Sequence, residues 1–186
     1  MELKVPTMAE LAAEGRTPEV LFWVGCAGSI DQRAIKITSA FVKILNHLNI
    51  DYAILGKEEA CTGDPAKRAG NEFVFQMAAL QNIEILNAYQ VRKIVTTCPH
   101  CFNILKNEYP NLGGAYDVVH HTQFLQGLIN EGKLTVKGGG IFKGKKITFH
   151  DSCYLGRANE VYEAPRELLE ALDADLVEMK AAKSRG

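Results

Sequence analysis

Cysteine is the residue whose placement in this chain could do chemistry. Cys26, Cys98 and Cys153 each follow directly on a short run expected to be a strand, Cys61 follows another by a short loop, and Cys101 closes the tetrapeptide Cys98-Pro99-His100-Cys101. Thiolates bind soft metals, hold iron–sulfur clusters or exchange with disulfides. A C-x-x-C pair alone is compatible with all three. Cys26, Cys61, Cys98 and Cys101 are spaced C-x34-C-x36-C-x2-C, and four thiolates suffice for tetrahedral zinc or for a four-iron cluster. Scattered core cysteines are the plain alternative, because a free cysteine packs like a small apolar side chain. Repeated placement at strand ends argues against it.

The elements that must position these thiols alternate in type. Apolar runs at Val20–Val24, Tyr52–Leu55, Ile94–Thr97, Tyr116–Val119, Lys145–His150 and Asp175–Glu178 are expected strands. Gly25 to Ser29 is expected to be a small-residue turn. Helices are expected at Met8–Ala13, at about Gln32–Leu48 with Ile37, Phe41, Ile44, Leu45 and Leu48 on one stripe, and at about Ala69–Ala88 with Phe73, Met77, Leu80 and Ile83 or Glu84 at helical spacing. Further helices are expected at Phe102–Glu108, at Gln123–Asn130 with Phe124, Leu125 and Leu128 inward, and at Val161–Leu172. Pro99 suits the first turn of the helix after Cys98. This rhythm implies an α/β fold, a parallel sheet with helices on both faces. Ligands in such sheets bind outside the carboxyl ends of the strands, so four pieces of sequence deliver sulfur to one edge. A weak repeat is visible: Val20–Val24, Cys26, helix, Tyr52–Leu55 parallels Ile147–Phe149, Cys153, helix, Leu176–Val177. The expected organisation is two pseudo-repeated Rossmann-like units, the second apparently truncated: a lead-in over 1–18, a first cysteine-rich unit over 19–136, a Gly-rich linker over 137–144 and the start of a second unit over 145–186.

Composition narrows the setting. The chain is 47% hydrophobic and 23% charged, with 21 Lys plus Arg against 22 Asp plus Glu. That balance implies no nucleic-acid partner. Met1-Glu2-Leu3-Lys4-Val5-Pro6 lacks the basic and apolar regions of a signal peptide, and no apolar run is long enough to span a membrane. Five cysteines, an odd number, fit a reducing cytoplasm better than a closed disulfide framework. Gly138-Gly139-Gly140 lacks the Lys-Ser and helix of a phosphate loop and is expected to be linker.

Four segments carry a family resemblance: Gly25-Cys26, Cys61 to Glu72, Thr97 to Cys101, and His150-Asp151-Ser152-Cys153-Tyr154-Leu155-Gly156-Arg157. Together they resemble the cysteine-rich CCG domain of heterodisulfide-reductase-type iron–sulfur oxidoreductases. That family also includes iron–sulfur subunits of glycolate, lactate and anaerobic glycerol-phosphate oxidising systems. Its motif, present twice, joins a single cysteine, a Cys-Cys-Gly run and a C-x-x-C pair. Here the first Cys-Cys-Gly reads Cys61-Thr62-Gly63, one thiol short. The full motif holds an unusual non-cubane cluster, so its loss favours a [4Fe-4S] cubane or zinc. Cys153 resembles the opening cysteine of a second motif whose partners would lie beyond Gly186.

The resemblance implies an iron–sulfur electron-transfer subunit. Its cluster would sit on Cys26, Cys61, Cys98 and Cys101, and its partner would be a flavoprotein or ferredoxin-type subunit. The chain alone would not complete a catalytic cycle; Cys153 and His150 are candidates for chemistry in a longer protein. A structural zinc domain for subunit assembly is the alternative. A thiol–disulfide oxidoreductase on Cys98 and Cys101 leaves Cys26 and Cys61 unexplained. Among other residues, His100 is expected to face outward or tune the site; one of His120-His121 to support the site or titrate near neutral pH, or else to play a structural role at a strand end; and His150 and Asp151 to relay protons or cap the following turn. Asp64 is expected to cap its helix, Lys67 and Arg68 to meet an acidic partner or simply solvent, and Trp23 to lie in the core. An unfinished second unit would expose apolar surface and favour a homo-oligomer.

Overall fold

The computed structural model of the chain describes residues 3–180 and 182–183. Its centre is β1 (Val20–Trp23), buried along its whole length. β1 pairs in parallel with β2 (Tyr52–Ala53) on one side, Val20 opposite Tyr52, and with β3 (Lys93–Thr96) on the other, Phe22 opposite Val95. With β4 (Asp117–His120) the order is β2-β1-β3-β4. A second, two-stranded parallel sheet joins β5 (Lys146–Ile147) to β6 (Asp175–Leu176). The architecture is α/β with parallel pairing, as the alternation of apolar runs implies.

The helices are α1 (Met8–Ala13), α2 (Gly25–Ile30), α3 (Gln32–His47), α4 (Asp64–Arg68), α5 (Glu72–Ala88), α6 (Pro99–Asn103), α7 (His121–Asn130) and α8 (Glu163–Ala171). A capping box opens α1: Thr7 Oγ1 accepts from Glu10 N–H and Glu10 Oε2 from Thr7 N–H. Met8 and Leu11 are buried, and Thr7 bridges Ile54 in parallel register. Asp31 caps α3 by accepting from the N–H groups of Arg33 and Ala34. The core sets Phe22 edge-on to Phe41 of α3, ring centroids 5.0 Å apart, and buries Trp23 completely.

Several expectations are corrected. Gly25 to Ser29 is helix, not turn: Gly25, at φ +77°, turns the chain out of β1 and α2 starts at once. The helix expected from about Ala69 starts at Glu72, and a separate short helix, α4, precedes it. Gly70 at φ +79° stops α4, and Asn71 caps α5 by accepting from Val74 N–H. The inward face of α5 also differs: Phe75, Ala79, Asn82, Ile83 and Leu86 are buried, whereas Phe73, Val74, Met77 and Leu80 are exposed. In α3, Phe41, Val42 and Leu45 are buried and Ile37 is exposed. In α7, Leu128 is buried while Phe124 and Leu125 are only half-buried. The tail from Lys180 lies largely outside the described residues.

Contacts divide the chain into two compact units, one ending at Val119 and one starting at His120. The first contains the sheet edge that bears Cys26, Cys61, Cys98 and Cys101. In the second, Arg166 is almost fully buried. Its guanidinium donates to both oxygens of Asp151 (2.7 and 2.9 Å), to both of Glu178 (2.5 and 3.1 Å) and to the Tyr162 carbonyl (2.7 Å). It also lies 5.6 Å from the centroid of the Phe149 ring.

Candidate metal centre

Each cysteine of the first unit is delivered by a different local device. β1 ends in Trp23, Gly25 turns the chain, and Cys26 sits in the first turn of α2. A methyl group on Gly25 would lie 3.3 Å from Cys101 Sγ, so a larger residue there would crowd the thiol. Glu59 reaches back to the same turn, accepting from Gly25 N–H at 2.5 Å and Val24 N–H at 3.0 Å. One carboxylate thus ties the Cys26 segment to the loop that carries Cys61. Burial pushes the Glu59 carboxyl up to about 7, against the opposing pull of the two N–H bonds.

The Cys61 loop is strapped from below by two buried polar side chains. Asn82 Nδ2 of α5 donates to the Cys61 carbonyl at 3.0 Å and to Tyr109 Oη at 3.0 Å. The Tyr109 hydroxyl in turn donates to the Thr62 carbonyl at 3.2 Å. Tyr109 is positioned by an irregular continuation of α6: a wide helical turn over Ile104–Glu108, then a tight one over Tyr109–Leu112. Such π-type turns recur at functional sites. Gly63 then takes φ +84°, with its Cα face against Phe75. A Cβ at Gly63 would meet Phe75 Cδ2 at 2.9 Å and the Phe75 carbonyl oxygen at 3.2 Å. Gly63→Ala is therefore expected to destabilise the first unit by about 3 kcal/mol, from left-handed strain plus overpacking. Urea unfolding followed by the fluorescence of Trp23, the single tryptophan, measures it.

Cys98 lies two residues beyond β3, at the N-cap of α6, and Cys101 lies within α6, with Pro99 in its first turn. The pair is unequal. The Cys101 thiol donates to Cys98, and this bond, with the Cys101 and His100 N–H groups and the nearby His100 ring, lowers the Cys98 thiol to about 6 despite burial. Cys101 moves strongly the other way, first because its proton is held by Cys98 and next because it is buried. Metal-free protein is thus expected to alkylate first at Cys98, with a rate that rises through pH 6 and levels above it, while Cys101 reacts last. Mass spectrometry of iodoacetamide-treated chain across pH 5–9 checks this.

All four thiols line one open cavity of about 360 Å³, together with Gly25, Thr62, Asp64, Pro65, Arg68 and His100. Cys26 and Cys61 are exposed, Cys98 is half-buried and Cys101 buried. Burial, then the nearness of Cys61, raises the Cys26 thiol. Among the described residues, no three His, Cys, Asp or Glu side chains are placed to grip a single ion. The thiols surround a space rather than a point. Eight heavy atoms, at the roughly 30 Å³ a water molecule takes in liquid, need about 240 Å³. The donor set and the room therefore fit a four-iron cluster.

His100 faces outward, as expected, with Nδ1 2.7 Å from Asp64 Oδ2. Asp64 does not cap α4; Gly63 occupies the cap position, and Asp64 is buried between His100 and Arg68. Lys67 and Arg68 bond internally, Lys67 to Glu72 at 2.9 Å and Arg68 to Glu108 at 2.8 Å. Cys153 and His150 belong to the second unit, both exposed. Asp151 pairs with Arg166 and does not cap the turn. His120 Nδ1 lies 2.8 Å from Thr122 Oγ1, and its ring is tilted 59° to that of His121 with centroids 4.3 Å apart; burial lowers the His121 imidazole to about 4. Sequence reasoning missed Glu59, Asn82 and Tyr109. An asparagine within a largely apolar helix was the one available signal.

The same residues carry the relationships to known proteins. Along its whole length the chain is 47% identical to the probable iron-sulfur-binding oxidoreductase FadF of Bacillus subtilis, of which it spans 26%. It is 44% identical over 95% of its length to the EtfAB:quinone oxidoreductase of Syntrophomonas wolfei, spanning 24% of it. Over 89% of its length it is 34% identical to a subunit of the dihydromethanophenazine:CoB–CoM heterodisulfide reductase of Methanosarcina barkeri, spanning 41% of that subunit. A further relative is named a probable membrane-anchored ferredoxin; no helix among the described residues is long and apolar enough to cross a membrane. No solved structure matches the chain. The cysteine-rich domain model CCG matches residues 20–106 and 147–186, so the segments that bear all five thiols place the chain in the CCG cysteine-rich domain family of iron–sulfur oxidoreductases.

Proposed function

We propose that this chain holds a [4Fe-4S] cluster on Cys26, Cys61, Cys98 and Cys101 and passes single electrons within a heterodisulfide-reductase-like oxidoreductase complex. The observation that carries the reading is four thiols from separate segments around one cavity with room for such a cluster. The relatives named as iron–sulfur-binding and quinone oxidoreductases and as part of a heterodisulfide reductase support it. A bound cluster supplies reversible one-electron chemistry that no side chain here offers. The protein's part is to present thiolate and fix its geometry. Cys98 is the thiol most ready to bind at neutral pH. Glu59 and the Asn82–Tyr109 strap hold the other segments in register. The mouth, flanked by His100, Pro65 and Arg68, is where a flavoprotein or ferredoxin-type subunit would exchange electrons in a reducing, cytoplasmic setting. Four thiolates also suit zinc chemically, but thiols spread around a cavity support a cluster better than a single ion.

The deciding experiment is oxygen-free purification with iron, acid-labile sulfide and zinc measured per chain, and an EPR spectrum of the reduced sample. About four iron and four sulfide with a paramagnetic signal on reduction are expected. One zinc without sulfide would overturn the electron-transfer reading.

A further inference from the structure

A second cavity opens on the same strand edge as the cysteines and contains none of them. Its volume is about 350 Å³, room for about twelve heavy atoms at the roughly 30 Å³ a water molecule takes in liquid. Val24, which follows β1, and Ile54, which follows β2, form its walls with Val5 and with Val42 of α3. Space beyond the carboxyl ends of parallel strands is where such folds take small ligands.

The polar side chains of this cavity are acceptors. Ser29 Oγ donates its proton to the Gly25 carbonyl at 3.0 Å, and Thr38 Oγ1 to the Gly28 carbonyl at 3.1 Å. A hydroxyl whose proton is engaged offers a ligand only lone pairs. Glu59 also lines the cavity. Each of its oxygens takes one backbone N–H, from Gly25 or from Val24, and keeps a further lone pair. Those bonds also engage the N–H donors of that turn. Among the described residues no lysine, arginine or histidine pairs with the Glu59 carboxylate. A half-buried carboxylate without a counter-ion is stabilised by a cation that reaches it.

We propose that this cavity binds a small primary amine, with its ammonium on Glu59, Ser29 and Thr38 and a short apolar body against the valines and Ile54. An ammonium carries three donors and no acceptor, which suits a site whose own polar atoms accept. An alcohol or amide brings an acceptor that finds no donor there, and a carboxylate is repelled by Glu59. Binding is non-covalent. The site stands apart from the cluster reading, because none of the four thiols lines it.

The test is isothermal titration calorimetry of the purified chain at pH 8, with benzylamine as the probe and benzyl alcohol, of nearly equal size and uncharged, beside it. Benzylamine is expected to bind one per chain and benzyl alcohol about tenfold more weakly, the factor one charge-assisted hydrogen bond supplies. Glu59→Gln, which keeps the size and removes the charge, is expected to weaken benzylamine about tenfold. Ser39→Leu puts a larger side chain into the cavity wall and is expected to weaken both probes; it carries the location should E59Q fail to fold. The comparison of the two probes on the wild-type chain needs no variant. Equal affinity for the two probes would overturn the amine assignment. Benzylamine held as tightly by folded E59Q or S39L as by the wild type, or no saturable binding to the wild type, would overturn the site.

Discussion

Cys61→Ser is expected to remove the iron and sulfide of the anaerobically purified chain, leaving less than a tenth of the wild-type content. Serine is a poor ligand for the soft iron of a cluster, and the Cys61 loop offers no second thiol, since Thr62 follows directly. A three-thiol cluster site would expose one iron to solvent at an already open mouth. The substitution also separates chemistries. If the chain worked as a dithiol through Cys98 and Cys101 alone, C61S would keep its disulfide-exchange activity. Cys153→Ser is the contrast, expected to leave iron and sulfide unchanged because the cavity is lined by the four thiols of the first unit. Iron retained in C61S at wild-type level would remove Cys61 from the ligand set.

The second large effect lies in the other unit and needs no cluster. Arg166→Ala is expected to cost the second unit about 3 kcal/mol. Its guanidinium joins Asp151, Glu178 and the Tyr162 carbonyl, thereby linking α8 to the segments on either side of it. Asp151 is nearly as buried as Arg166, so truncation leaves a carboxylate without its cation; Glu178 is more exposed and water replaces part of its loss. The same arginine holds the Asp151 carboxyl below the usual range, with its side-chain bonds the first cause. A carboxylate so lowered stabilises the fold above its ordinary pKa, and that contribution is lost as acid protonates it. Amide hydrogen exchange across Glu163–Ala171 is the measurement, with protection falling about 100-fold for that energy. An unchanged exchange pattern in R166A would show that the charge cluster is replaceable by water.

Legibility followed the physics of each element. The strands before Cys26 and Cys98 could be read because a strand buried on both faces needs an unbroken apolar run, and Val20–Trp23 and Ile94–Thr96 are such runs. The thiols that line the cavity followed from what those runs end in. The inward face of α5 was not legible, because that helix is apolar nearly all round and its spacing suits two faces equally. The face chosen presents the small Ala79 and the hydrogen-bonding Asn82 to the Cys61 loop, leaving Phe73, Met77 and Leu80 outside. Glu59 was hidden for a related reason: its partners are backbone N–H groups more than thirty residues away, and no residue type announces a backbone donor. Asp64 looked like a cap because its neighbour Gly63 lacks a side chain, yet the left-handed glycine makes the turn and frees the carboxylate for His100.

The strap of Asn82 and Tyr109 beneath the Cys61 loop bears on how the centre is built and rebuilt. In small metallodomains whose ligands are disordered without metal, binding and folding are one event, and losing the metal means losing the protein. Here the Cys61 loop is anchored by the buried side chains of Asn82, on α5, and Tyr109. Acquisition of a cluster on these thiols would then be insertion into a preformed socket, with little chain entropy to overcome. Damage by oxygen would leave a folded polypeptide that can be reloaded, so the working life of the chain is uncoupled from that of its most fragile part.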